Sequence, residues 1–280
     1  MSATVFAAVL AAALMHATWN ALLKSRSERF VSISLMSFGM AVVAVPLLPF
    51  VALPQGITWF WLLISVFFHT GYKYFLSRAY EAGDMAQAYP LARGTAPLIA
   101  TLGGIALLSE VPGAVALGGI LLLSSGTFVM SLRGGGAGLF GGPAVGHALV
   151  TSLFVASYTL ADGSGARSAA DATSYAVWLF LLEGIWSLAF AIMLRGPGVG
   201  RLMLGEWKTG LVGGFLSAVA YWIAMWAMTK APIATVAALR ETSILFAMAI
   251  SVTMLGERLT RWRIAAGLLI VGGMIALRLG

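Results

Sequence analysis

The chain has 280 residues, 60% of them apolar and only 10% charged, with a mean hydropathy of +0.94. Soluble domains carry about 25% charged residues, so a chain this poor in charge cannot cover a water-facing surface and must set most of it against lipid or other helices. The formal charge of +7 comes from basic residues that lie between apolar runs without an aromatic stripe, which excludes a nucleic-acid partner, and the absence of cysteine excludes disulfides, thiolate metal sites and cysteine nucleophiles.

A bilayer core takes about 20 apolar residues per helix. Ten runs qualify: 3–23, 31–53, 58–79, 85–108, 113–132, 144–162, 173–194, 209–229, 232–255 and 262–279. The first has no basic stretch before it and no small-residue cleavage site after it, so it reads as a spanning helix and not as a secretory leader. On it His16, Trp19 and Asn20 fall at i, i+3 and i+4, hence on one side. The third run carries His69, read as a hydrogen-bonded structural residue, and Lys73, read as snorkelling to the nearby helix end. The fourth holds Tyr89, Pro90, Arg93, Gly94 and Pro97, and ends near Glu110. Tyr158 lies within the sixth run, whose outer end, at Asp162, reads as a solvated cap. Glu183 is buried in the seventh run, Tyr221, Trp222 and Trp226 crowd the eighth, and Pro232, Arg240 and Glu241 belong to the ninth, which ends near Glu257. Trp59, Trp61, Trp207 and Trp262 stand at helix ends, where they suit an interfacial belt.

Between the fifth and sixth runs lies a glycine-rich linker, 134–142. Its Gly136, Gly138 and Gly141 match GxGxxG in form, but a spanning helix precedes them where a dinucleotide site needs a strand, so they read as flexible linker. The linker divides the chain into 1–133 and 143–280. At a constant offset of 147 residues Arg93 falls on Arg240, Thr95 on Thr242, Leu108 on Leu255, Glu110 on Glu257 and Gly126 on Gly273. At 139 residues Trp19 falls on Tyr158. The expected fold is therefore an all-α polytopic membrane protein with ten transmembrane helices as two five-helix repeats. Because five is odd, the repeats must be inverted, and inverted repeats are a transporter signature with the solute bound near the midplane. Eleven of fourteen loop and terminal cations follow odd-numbered helices, which puts the odd loops in the cytoplasm and both termini outside.

Gly256-Glu257-Arg258-Leu259-Thr260 followed by Gly267 through Gly273, with the weaker echo Ser109-Glu110-Val111 and Gly118 through Gly126, resembles the drug/metabolite transporter superfamily, in particular its ten-helix EamA-type members. His16 through Leu22 and Tyr89 through Gly94 resemble one subgroup. The resemblance covers the whole chain and implies a transporter whose relatives include exporters of amino acids and other metabolites, as well as importers. Many relatives carry basic residues after the second helix, whereas 53–56 has none, so the orientation here rests on the charge count.

Arg93 and Arg240 each lie eight residues, about 12 Å, inside their helices, approaching the midplane from opposite sides. In one reading both line a central cavity and bind an anionic group, for which the guanidinium fork is suited. In the other, Arg240 pairs with Glu183 and Arg93 caps carbonyls near Pro90. Trp19, Tyr158, Trp222 and Trp226, with His16, Asn20 and Tyr89, complete the candidate substrate site. Glu183 and Glu241, with His16, are the candidates for proton coupling, and Pro90, Gly94, Pro97 and Pro232 the candidate gate hinges.

No P-loop is present, and the three histidines lie on separate segments without HExxH, so no metal, cofactor or enzymatic activity is expected. The sequence reads as a secondary transporter in a bacterial inner membrane, exporting an amino-acid-like or other carboxylate-bearing metabolite by alternating access. An importer or organic-cation carrier of the same fold is the alternative within transport; a membrane enzyme or a structural membrane protein is the alternative outside it. Its partners are the solute and lipid, and small-residue faces such as Gly210/Gly214 and Gly272/Ala276 leave room for a homodimer.

Overall fold

The computed structural model describes residues 1–23, 29–82, 85–132, 143–256 and 259–280, with the backbone alone at 22–23, 29, 85–89, 131–132 and 254–255. The linker 134–142, Lys24, Arg26, Arg133, Glu257 and Arg258 lie outside the described residues. All described regular structure is helical: α1 (Ala3–Leu23), α2 (Arg29–Ala44) with a 3₁₀ extension (Val45–Phe50), α3 (Ile57–Ala82), α4 (Met85–Leu108), α5 (Ala114–Leu132), α6 (Pro143–Ser168), α7 (Ala172–Arg195), α8 (Val199–Gly205), α9 (Trp207–Met228), α10 (Ile233–Arg240), α11 (Ser243–Leu255) and α12 (Arg261–Leu279). Among the described residues eight segments are long and apolar enough to cross a membrane, the α10–α11 pair counting as one, and α5 supplies a shorter apolar helix, Ala114–Met130.

The second run, the segment after α7 and the ninth run differ from the reading of the sequence, each for a local reason. The second run tightens into 3₁₀ geometry where Pro46 and Pro49 remove backbone donors. α8 forms where a loop was expected, because Val199 and Met203, one turn apart, bury against Phe30, Val31 and Ala191. The ninth run is broken at Glu241–Thr242. There the amides of Glu241 and Thr242 bond to carbonyls three residues back, at 3.0 and 3.1 Å, and the Thr242 hydroxyl donates to the Leu239 carbonyl at 2.7 Å.

Packing joins the two halves. α2 packs on α7 and α5 on α12, while α3 packs on α6 much as α1 packs on α9. Small residues permit the closest approaches, as expected where the surrounding lipid gives apolar side chains no reason to associate. A methyl group added at Gly273 would stand 2.7 Å from the Gly119 carbonyl oxygen, and one at Gly126 would stand 2.8 Å from that of Ala266. At the offset of 147 residues these two contacts are one contact with the roles exchanged.

At one end of the bundle Glu110 ties four helices together. It pairs with Arg167 at the end of α6 and accepts from the Ile233 amide at 2.9 Å, so it caps α10. Arg167 also donates to the carbonyls of Met228, at 2.8 Å, and Ala231, at 3.1 Å. Nearby, Asp171 caps α7, its carboxylate accepting from the Ser174 amide at 2.9 Å.

Candidate functional site

A cavity with about 620 Å³ of atom-free space, part of it open to solvent, lies between α1, α2, α3, α6, α7, α9 and α10. His16 and Trp19 reach it from α1, His69, Tyr72 and Lys73 from α3, and Tyr158 from α6. Glu183 comes from α7, Tyr221 from α9 and Arg240 from the last residue of α10. A smaller void beside it is lined by Arg93, Pro97, Thr159, Glu241 and again Arg240. The helix break at Glu241–Thr242 thus sits at the cavity, and Arg240 borders both spaces.

Four of the buried charges form two pairs. Arg93 and Glu241, 5% and 3% exposed, form a two-pronged ion pair: Nε donates to Oε2 at 3.0 Å, and Nη2 meets Oε1 at 3.0 Å. Lys73, 3% exposed, pairs with Glu183 and donates to Ser187, while Ser37 donates to the same carboxylate at 3.2 Å. Arg240 makes no ion pair or hydrogen bond among the described residues, and its guanidinium lies over the ring of Tyr221, 4.9 Å from the centroid. This reverses the structural pairing drawn from sequence: Glu183 takes Lys73, and Glu241 takes Arg93, leaving Arg240 to the cavity.

Lys73 and Asp162 occupy places other than those expected. Lys73 does not snorkel, because a buried carboxylate lies within reach on α7. Asp162 is no solvated cap. α6 continues six residues beyond the expected end, to Ser168, which carries Asp162 inside the bundle at 0% exposure. It accepts hydrogen bonds from the hydroxyls of Tyr175, at 3.0 Å, and Tyr221, and its Oδ2 lies 3.1 Å from His69 Nε2. His69 stacks on Tyr158 with centroids 4.0 Å apart. The one signal in the sequence was the run of small residues around Asp162, which lets neighbouring helices close over it: Gly163 lies against Ile233 and Gly165 against Tyr175.

The other candidates divide. Trp19 and Tyr158 line the cavity, and His16 meets Trp19 edge-on with centroids 4.9 Å apart. The Trp19 indole Nε1 is buried without a hydrogen-bond partner among the described residues. Asn20 spends its amide on the His16 carbonyl at 2.9 Å and does not border the cavity. Trp222 is 40% exposed on the outside of the bundle, with its indole donating to Thr173 at 3.1 Å, and Trp226 packs into the core between the two main apolar clusters. Tyr89 belongs to α4, and its side chain lies outside the described residues. Of the candidate hinges, Pro90 and Pro97 sit within an unbroken α4, and Gly94 is buried where an added methyl would come within 3.0 Å of Thr127. Pro232 stands at the N-cap of α10.

The sequence model of the EamA-like transporter family matches the chain twice, over residues 3–132 and 143–279. No curated protein matches in sequence. One solved structure, described only as "Crystal structure of protein", superposes with a TM-score of 0.80 at 20% identity, covering 100% of this chain and 98% of that one; at that identity the likeness is one of fold.

Proposed function

The chain belongs to the EamA-like transporter family, and on that premise we propose that it is a secondary transporter for a small polar solute bearing an anionic group, amino-acid-like or another carboxylate, exported by alternating access. The observation that carries the reading is Arg240. Its guanidinium borders a central cavity with no carboxylate partner among the described residues, although the bundle supplies acids to both Arg93 and Lys73. Arg240 is half-buried, and a solute carboxylate supplies the counter-ion that the described residues do not. The Trp19 indole, without a partner among the described residues, adds a neutral donor on the same cavity.

The helix break beside Arg240 supports the same reading. Discontinuous helices form solute sites in transporters, since irregular backbone is tolerated at membrane depth where it lines a cavity. α3 and α5 complete a set of ten spanning helices in two inverted repeats, a reading supported by the exchanged Gly126 and Gly273 contacts. The excess of cations after odd-numbered helices favours cytoplasmic odd loops and external termini in a bacterial inner membrane. Glu110 and Arg167 then latch the external side, and the Arg93–Glu241 pair holds α4 against α10.

A thermal-stability screen of the purified protein against amino acids, organic acids, phosphonates and quaternary amines tests the site. A ligand that binds the folded state alone raises its stability by mass action. Stabilisation by a carboxylate or phosphonate that disappears in Arg240→Ala is the expected result. Stabilisation by quaternary amines alone would instead assign the aromatic rings of Trp19, Tyr158 and Tyr221 to an organic cation.

A further inference from the structure

Three carboxylates are buried in the centre of the described bundle. Glu183 faces Lys73 and Glu241 faces Arg93, so each pair is neutral as a unit. Asp162, fully buried, faces no permanent cation: its partners are two phenol hydroxyls and His69, which is charged only when it carries a second proton. The unpaired members of the set are therefore Asp162 and Arg240, and one side chain stands between them. Tyr221 lies under the Arg240 guanidinium and donates its hydroxyl to Asp162. With His69 neutral, the two charges offset each other across that ring.

An anion seated on Arg240 removes this offset and leaves Asp162 as an uncompensated charge in a site where such charges are expensive. Imidazole is the side chain that takes a proton between pH 5 and 8, and His69 lies against Asp162. We propose that His69 and Asp162 form a proton-binding site that fills when an anionic solute occupies Arg240, so that solute and proton bind and move together. The inference rests on the reading of Arg240 as the solute's partner.

The step balances simply. Ionised Asp162 only accepts, so His69 Nε2 is the donor to it, and the added proton goes to Nδ1 from water in the cavity, which His69 borders and Asp162 does not. One N–H bond forms, and it breaks again when the proton returns to water on the side to which the cavity opens. The other groups around the pair are Tyr158 on α6, Tyr221 on α9, and Tyr175 and Glu183 on α7. Tyr72 and Lys73 approach from α3, His16 from α1, Arg240 with Glu241 from the α10 break, and Arg93 from α4. Since the two ion pairs are each neutral, occupancy of Arg240 sets the balance. Linkage is reciprocal: falling pH must tighten binding of the anion, by up to about tenfold per pH unit for one proton.

The test is the titration of His69 in histidine-labelled protein in lipid nanodiscs, its nitrogen resonances identified by their loss in His69→Gln. Arg240→Gln removes the cation as a bound anion would, and the His69 midpoint is expected to rise by about one pH unit. Asp162→Asn is expected to lower it by at least as much. An unchanged midpoint in Arg240→Gln overturns the proposal; if that variant does not fold, an unchanged midpoint in Asp162→Asn does so. Anion uptake and dye-reported proton uptake by vesicles separate the two readings. Midpoints that move as expected in a protein that carries no anion support the proton site and remove the transporter reading, whereas midpoints that stay fixed in a protein that carries anions remove the proton site alone.

Discussion

At the scale of single residues, a buried ion pair is valued by what breaking it leaves behind. Glu241→Ala strands Arg93 inside the bundle, and the expected loss is about 3–5 kcal/mol, read as a lower unfolding temperature in detergent. Arg93→Met combined with Glu241→Leu leaves no charge and is expected to recover most of that stability. Equal instability of the single and double variants would show that the pair holds the fold by more than charge balance. Asp171 offers a milder case outside the membrane. Partial burial pushes its carboxyl up, but hydrogen bonds from Ser174 and Thr173 outweigh this and hold it below the usual carboxylate range. A carboxyl depressed on folding stabilises the protein above its unfolded-state value and loses that contribution as pH falls through its folded-state value. Asp171→Ala is thus expected to cost about 1 kcal/mol at neutral pH, and the difference from wild type should close below about pH 4. The presence of charged and aromatic residues inside the spans was legible from the sequence, because mid-bilayer charge stands out against apolar runs. Which acid meets which cation was not. Pairing depends on helix rotation and on where helices end, and an extra turn and a half at the end of α6 was enough to take Asp162 from surface to core.

At the scale of elements, the apolar runs place the helices to within a few residues except at the end of α6, as the lack of alternative backbone structures in lipid demands. The break between α10 and α11 was hidden because an apolar run reads alike whether its backbone is continuous or not. Its cause is tertiary: α10 starts under the Glu110 cap and ends where Glu241 is held by Arg93 on α4. α5 and α12 illustrate the opposite case, a contact written directly in glycines. Gly273→Val would drive a branched side chain into the Gly119 carbonyl, and a destabilisation of about 1–3 kcal/mol is expected by overpacking. The same change at Gly272, where an added methyl meets nothing nearer than 4.0 Å, is expected to cost under about 0.5 kcal/mol. Thermal unfolding of the two variants side by side measures the difference, and equal losses would show that helix distortion and not interhelical contact sets the cost.

At the scale of the whole molecule, the absence of native cysteine makes the orientation directly measurable. Gln55 and Lys208 are both exposed and lie at the ends of α2 and α9 that the charge count assigns to opposite sides. In intact cells a membrane-impermeant maleimide is expected to label Gln55→Cys and to spare Lys208→Cys until the membrane is opened. The reverse pattern would invert the protein, place the Glu110–Arg167 latch in the cytoplasm and exchange the side from which Arg240 is reached.

Arg93 and Arg240 stand at equivalent positions of the two matched halves, but Glu241 falls opposite Gly94. Were the halves two copies of one short polypeptide, symmetry would oblige both arginines to find a carboxylate or neither. Joining them in one chain lifts that obligation. One position could then acquire an acid and settle into architecture while its twin stayed unmatched, so the arginine proposed to meet the solute is, in this sense, a product of broken symmetry.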